Sequence, residues 1–410
     1  MSTMSTFEEL AASGTEVAVI GAGPAGLAAA AQLHRRGLAP AVLERSPEVG
    51  ASWRERYDGL RLNTVRWMSG LPGGPIPRSA GRWPARADFV RYLERYAERQ
   101  RLEVHTGVGV ARVDRDGDGY RLHASTGELK SRFVVVATGY DHEPVIPAWP
   151  GRDDFTGRLL HASAYRNATP FSGRHVLVVG TGNTGVELAV EILETAASVR
   201  VSMRTPPNIL TREIFGLPST VLGRMSESSL DALTDRSGFL LQRMLWGDLE
   251  PYGIPRPPYG IATELRVKGL GPVVDSGFVA ALKQRRIAIV PAVERFNAAD
   301  VVLRGDVRLR PDVVIAATGY RSGLEELVGH LGVLLPNGRP AINGARTHPN
   351  APGLYFNGYW LPLSGQIPAL RRSSRALARA VACERRQAST RDTQRRWPSR
   401  FPSVDSSRRT

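Results

Sequence analysis

Four hundred and ten residues contain one cysteine, Cys383. That excludes an intramolecular disulfide, a C-x-x-C redox pair and any multi-cysteine zinc or iron–sulfur centre, so redox chemistry here must use a borrowed cofactor. Lysine is nearly absent as well: Lys130, Lys268 and Lys283 are three of 54 basic residues, the other 51 being arginine. A formal net charge of +15 has the size of a nucleic-acid signature, yet so strong an arginine skew reads as coding bias. Eight arginines from 385 onward, against Asp392 and Asp405, put +6 of the excess in one segment. With Pro398, Pro402 and no apolar periodicity, 386–410 reads as a solvated, disordered tail, a polybasic arm for anionic partners being the alternative. No basic region precedes Glu8 and Glu9, and the uncharged run 17–33 is too short and too glycine-broken to span a bilayer. The expectation is a cytoplasmic monomer or homodimer with no transmembrane segment, no nucleic-acid partner and no metal.

Abundance lies elsewhere. Forty-two glycines and 42% hydrophobic residues suit a soluble α/β chain, and one pattern occurs twice. Glu16-Val-Ala-Val-Ile20 reads as a strand and feeds Gly21-Ala-Gly23-Pro24-Ala25-Gly26, a helix-like run and a second strand ending in Glu44, 23 positions after the first glycine. Strand, glycine turn, helix and distal acid make a dinucleotide-binding unit. Gly21 turns the chain, Gly23 lets the backbone approach a pyrophosphate, Gly26 lets the helix pack on its strand, and Glu44 is placed for the ribose hydroxyls. The second copy runs from Val176 through Gly180-Thr-Gly182-Asn183-Thr184-Gly185, and its second strand ends in Arg204 and Thr205 instead of an acid. A guanidinium there suits the 2′-phosphate of NADPH, which a carboxylate would repel. The two halves therefore read as one FAD site and one NADPH site. Ala137-Thr138-Gly139 and Ala317-Thr318-Gly319 end apolar strands in each half and let the backbone pass close to a dinucleotide. The fold class is α/β, with two Rossmann-like dinucleotide-binding domains, the second inserted into the first.

Between the two turns, Phe155-Thr-Gly157-Arg-Leu-Leu-His161-Ala-Ser163-Ala-Tyr165 is similar to the F-x-G-x-x-x-H-x-x-x-Y fingerprint of the class B flavin-dependent monooxygenases. The likeness extends over nearly all of 17–381. Gly50-Ala-Ser52-Trp53 resembles the G-G-x-W turn of the plant auxin-biosynthetic, YUCCA-type branch and its bacterial relatives, with Ala51 in place of the second glycine. Thr211 to Gly216 and Gly271 to Asp275 resemble two more blocks of that branch. Asn63 falls where many N- and S-oxygenating members carry an active-site asparagine, and its alternative is an ordinary loop amide. The resemblance implies cofactor contacts at Arg45, Ser52, Trp53, Leu62, Asn63, Thr64, Val108, Gly358, Gln366 and Ile367 on the FAD side and at Ser163 on the NADPH side. In the family the fingerprint couples the domains, which gives His161 a structural task.

The resemblance further implies that NADPH reduces FAD, O2 adds to give a C4a-(hydro)peroxyflavin, and one oxygen passes to a small, apolar or aromatic substrate at nitrogen or sulfur. Oxidative decarboxylation of a 2-oxo acid and Baeyer–Villiger insertion remain open, although Tyr165 and Asp58-Gly59-Leu60 depart from the Baeyer–Villiger pattern. From other classes, an NADPH-dependent flavin reductase or oxidase and a non-catalytic flavin scaffold also remain. The expected organisation is an extension over 1–14, an FAD domain at 15–160 and 322–385, and an NADPH domain at 161–321 with a helical insert at about 206–258. Within that insert Phe239, Leu240, Leu241, Met244, Leu245 and Trp246 read as a helix face packed on the domain. Trp67, Met68, Trp360 and Leu361 are placed near the flavin face. The last helix is expected to span 369–381.

Overall fold

The computed structural model describes residues 6–396. Strands covered on both faces read as continuous apolar runs instead of alternating ones, and Val17–Ile20, Ala41–Leu43 and Phe133–Val136 are such runs, all buried. They form the centre of a seven-stranded sheet whose order is Glu103–Thr106, Pro40–Glu44, Thr15–Ile20, Gly127–Val136, Gly119–Ala124, Val110–Asp116. The long strand Gly127–Val136 changes role along its length. Its first half pairs antiparallel with 119–124, and its second half pairs parallel with Thr15–Ile20 on one side and Leu354–Phe356 on the other. The alanine-rich helix Pro24–His34 covers one face and is buried from Ala25 to Leu33. The final helix packs on it through Leu370, Leu377, Ala378 and Val381.

The second sheet has five strands, all parallel, in the order Ile287–Val290, Ser198–Ser202, His175–Val179, Val313–Ala316, Arg158–His161. The helix Asn183–Leu193 crosses between the strands His175–Val179 and Ser198–Ser202, as a parallel pair requires. The first sheet is interrupted in the chain by the whole of the second, whose strands all fall within 158–316. Leu354–Phe356 and the final helix return to the first sheet after the second is complete, so the nicotinamide-side unit is an insertion in the flavin-side one.

Within the expected 1–14 extension, residues 7–13 form a helix whose Leu10 is buried, capped by Thr6 and Glu9, and three expectations change. The final helix spans Gln366–Arg396, beyond Val381 and into the stretch expected to be disordered, because after Pro368 in its first turn no proline or glycine follows before Pro398; 397–410 lie outside the described residues. The insert is neither purely helical nor closed at 258. Ile209–Thr211 pairs parallel with Val273–Asp275, and between them stand a short hairpin (Glu213–Ile214 with Leu217–Pro218) and the helices Ser219–Ser226, Asp231–Trp246 and Ile261–Lys268. On the helix Asp231–Trp246 only part of the apolar set is packed: Trp246 lies against the second core and its indole N–H donates to the Ile209 carbonyl, whereas Leu240 and Met244 face solvent. No helix among the described residues is long and apolar enough to cross a membrane.

Candidate active site

The two G-x-G-x-x-G turns divide their labour in the same way. A Cβ on Gly26 would sit 1.8 Å from the Gly21 carbonyl oxygen, and one on Gly185 would sit 2.1 Å from that of Gly180, so the third glycine of each turn is required by the protein's own backbone. A Cβ on Gly23 or Gly182 would meet no protein atom within 4 Å. Those positions border open space, the geometry needed where a pyrophosphate approaches the backbone at a helix N-terminus. Each turn opens a helix, Pro24–His34 and Asn183–Leu193, with the second glycine as its N-cap.

A cleft of about 780 Å³ runs from the first turn to the interface with the second unit, within the usual range for a cofactor pocket. Its wall includes Gly21, Gly23, Pro24, Ala25, Glu44, Arg45, Ser52, Trp53, Asn63, Val108, Ala137, Thr138, Gly139, Gly358, Gln366 and Ile367, all expected on the flavin side, and Ser163, Asn183 and Thr184 from the other unit. Leu62 and Thr64 do not line it. Leu62 is buried in the first core, and the Thr64 hydroxyl is spent on Ser69 at 2.7 Å. Trp67 and Trp360 stand outside the cleft, half exposed, and neither Met68 nor Leu361 lines it. The aromatic and apolar wall comes instead from Trp53, Tyr57, Leu60 and Ile367.

Glu44 already accepts two backbone amides, Ala22 N at 2.7 Å and Ser46 N at 3.0 Å, so its carboxylate also holds the glycine turn in shape. At the second turn Gly180, Gly182, Arg204, Thr205, Ala317, Thr318 and Gly319 gather at the carboxyl ends of the parallel strands. Thr181 Oγ1 donates to the Thr205 carbonyl, and the Ala317 carbonyl abuts Gly180. Arg204 is exposed beside this turn. Asn183 departs from expectation in one respect: its carboxamide accepts from Val274 N at 2.8 Å and donates to the Pro272 carbonyl, tying the helix N-terminus to the insert.

Four side chains that spacing did not bring together meet where the two units face each other. Asn63 Oδ1 accepts from Arg212 Nε at 3.1 Å, and its Nδ2 donates to Glu187 Oε1 at 3.4 Å. Tyr57 donates its hydroxyl to Glu187 Oε2, and Arg212 Nη2 lies 3.6 Å from Oε1. Burial raises the Glu187 pKa against the opposing pull of Tyr57, Arg212 and Asn63, and burial with the Glu187 charge raises that of Tyr57. The one signal in the sequence was an acid pair, Glu187 and Glu191, on an otherwise apolar helix.

The fingerprint segment is architectural. Phe155 packs on Phe296, Tyr165 is buried between Tyr57 and Phe171, and His161 closes a turn. Its Nδ1 accepts from Ser163 N at 3.0 Å, which leaves Nε2–H to donate to the Gly319 carbonyl at 3.1 Å. The histidine thus links the segment preceding the second turn to the Ala317–Gly319 turn.

Two dinucleotide turns serving one cleft, with the lone cysteine exposed on the final helix and away from it, define an oxidoreductase that works through a flavin and a nicotinamide nucleotide without a disulfide. A family model described as pyridine nucleotide-disulphide oxidoreductase matches residues 18–213. The chain is 34% identical over 318 residues to the probable indole-3-pyruvate monooxygenase YUCCA8 of Arabidopsis thaliana, covering 75% of each chain. It is 35% identical over 329 residues to the indole-3-pyruvate monooxygenase YUCCA4 of Oryza sativa subsp. japonica, covering 75% of this chain and 74% of the relative. Among solved structures it is similar to a flavin-containing monooxygenase from Stenotrophomonas maltophilia, 25% identical with a TM-score of 0.70, over 90% of this chain and 98% of that one. The chain belongs to the class B flavin-dependent monooxygenases, and its cofactors are FAD and NADPH.

Proposed function

We propose that this monooxygenase converts an aromatic 2-oxo acid to the shortened acid and CO2, with the substrate lying between Trp53, Tyr57, Leu60 and Asn63. The observation that carries the reading is the similarity to relatives named for indole-3-pyruvate, and the apolar, aromatic wall of the cleft supports it. The overall reaction balances as 2-oxo acid, O2, NADPH and a proton giving the shortened acid, CO2, NADP+ and water. When bound, FAD takes a hydride from NADPH and, once reduced, activates O2 for transfer of one oxygen atom.

The residues' tasks follow from their places. The first turn with Glu44 and Arg45 holds FAD; the second turn with Arg204 and Thr205 holds NADPH, the arginine on the 2′-phosphate. Asn63 offers an amide N–H at the cleft wall, where negative charge would develop on the carbonyl oxygen of the 2-oxo acid as it is attacked. Trp53, packed edge-on against Phe89 at 4.6 Å, and Tyr57 keep that end dry.

Oxygenation of an amine or sulfide is the second reading, favoured by Asn63 standing at the cleft wall. Purified holoenzyme supplied with NADPH and 18O2 is offered indole-3-pyruvate, phenylpyruvate, tertiary amines and sulfides. One 18O in indole-3-acetate or phenylacetate with matching CO2 supports the first reading; labelled N-oxide or sulfoxide alone replaces it with the second. Quantitative H2O2 with every class would remove both.

A further inference from the structure

The Asn63 carboxamide is held between neighbours of opposite character. Its oxygen faces the Arg212 guanidinium and its nitrogen faces the Glu187 carboxyl. Turned over, the amide would set N–H against N–H at Arg212 and oxygen against oxygen at Glu187, so both partners reject the flipped orientation. The three side chains come from different parts of the molecule. Asn63 lies in a flavin-side loop, Glu187 in the second turn of the helix that starts at the nicotinamide-side glycine turn, and Arg212 in the insert. Glu187 is 9% exposed on the cleft wall, and a carboxyl buried there is costly unless its oxygens are used. Both of them are, Oε2 by Tyr57 and Oε1 by Asn63.

We propose that Glu187 and Arg212 are positioning residues for oxygenation, together locking Asn63 so that it presents an N–H, and not its oxygen, to the cleft. The inference rests on Asn63 serving the reaction as proposed above. A donor already fixed in orientation needs no reorganisation as charge develops, which is where such a donor gains its effect. Because the two holding groups belong to the nicotinamide-side unit and the insert, the donor is set only when both are docked on the flavin side. Tyr57 restrains Glu187 in turn.

Two measurements on the same variants test this. The first is H2O2 release by FAD-loaded enzyme turning over NADPH and O2 without substrate. The second is the Asn63 side-chain NH2 signal in asparagine-labelled protein, with or without cofactors, assigned by its loss in Asn63→Ala. Asn63→Ala should release peroxide severalfold faster, and Glu187→Ala and Arg212→Ala should do likewise while shifting and broadening the NH2 signal. Glu187→Gln, whose side-chain oxygen still accepts from Asn63, should restore much of both. Adding Glu187→Ala to Asn63→Ala should change peroxide release no further. Arg212→Ala keeps the test open if Glu187→Ala loses FAD. An Asn63→Ala enzyme with unaltered peroxide release overturns the role of Asn63 itself. Normal peroxide release and an unmoved NH2 signal in Glu187→Ala and Arg212→Ala, or a full additional effect of Glu187→Ala in the Asn63→Ala background, overturns the positioning role alone.

Discussion

Single residues at the two glycine turns make separable demands. Arg204 is exposed at the end of its strand, where its charge is available to a 2′-phosphate. A hydrogen-bonded charge of this kind contributes about 1.5–3 kcal/mol, so Arg204→Ala should narrow the kcat/KM preference for NADPH over NADH by roughly 10- to 100-fold. Equal use of both nucleotides by the unmutated enzyme would refute the assignment. Gly23→Val is expected to fold normally, since nothing in the protein lies within 4 Å of the new Cβ. It should nevertheless be colourless, because the side chain would occupy the open space proposed for the FAD pyrophosphate. A yellow protein with full flavin content would place FAD elsewhere.

At the level of elements, close packing of each helix on its own turn governs stability. Gly26→Ala drives a Cβ into the backbone oxygen of Gly21, an overpacking that costs about 1–3 kcal/mol. Chemical denaturation should report that loss even without FAD, which separates it from the binding defect of Gly23→Val. The turn closed by His161 adds a pH signature. Burial, aided by the Arg56 charge and opposed by the Gly319 carbonyl, lowers the His161 pKa from its ordinary 6.5. The unfolded chain then binds the proton more readily, so this contribution is complete above pH 6.5 and is lost as pH falls through the lower folded value. The Tm of the wild type should fall on acidification across that window, and His161→Asn, which can still accept from Ser163 N, should flatten that part of the profile. An identical profile in the variant would exclude His161 as its source.

Across the whole molecule, the insert is clasped to the flavin-side unit. Glu227, just past the helix Ser219–Ser226, takes hydrogen bonds from the Ser364 hydroxyl and backbone and pairs with Arg224 and with Arg372 at 2.8 Å. Gly223 packs so closely on Leu363 that a Cβ would lie 2.3 Å from its carbonyl oxygen. Glu227→Ala is expected to expose the insert to limited proteolysis within 206–275 and to speed peroxide release, since Arg212 rides on the same insert. Unchanged cleavage would mean that the Gly223 contact alone holds it. Local signals were legible in the sequence wherever chemistry and chain neighbourhood coincide. Both glycine turns, Glu44 and Arg204 at the strand ends, the paired Ala-Thr-Gly turns and the fingerprint all depend on backbone demands a few residues long, and these identified two dinucleotide units and the family. Asn63 was legible as a position, but not its partners. Glu187 and Arg212 lie 124 and 149 residues away in sequence, and Trp67 and Trp360, equally aromatic on paper, face outward. Which side chains share the cleft was decided only by docking the nicotinamide-side unit and its insert against the flavin side, because contacts between distant segments follow from how two sheets and their helices pack, and no local period encodes that.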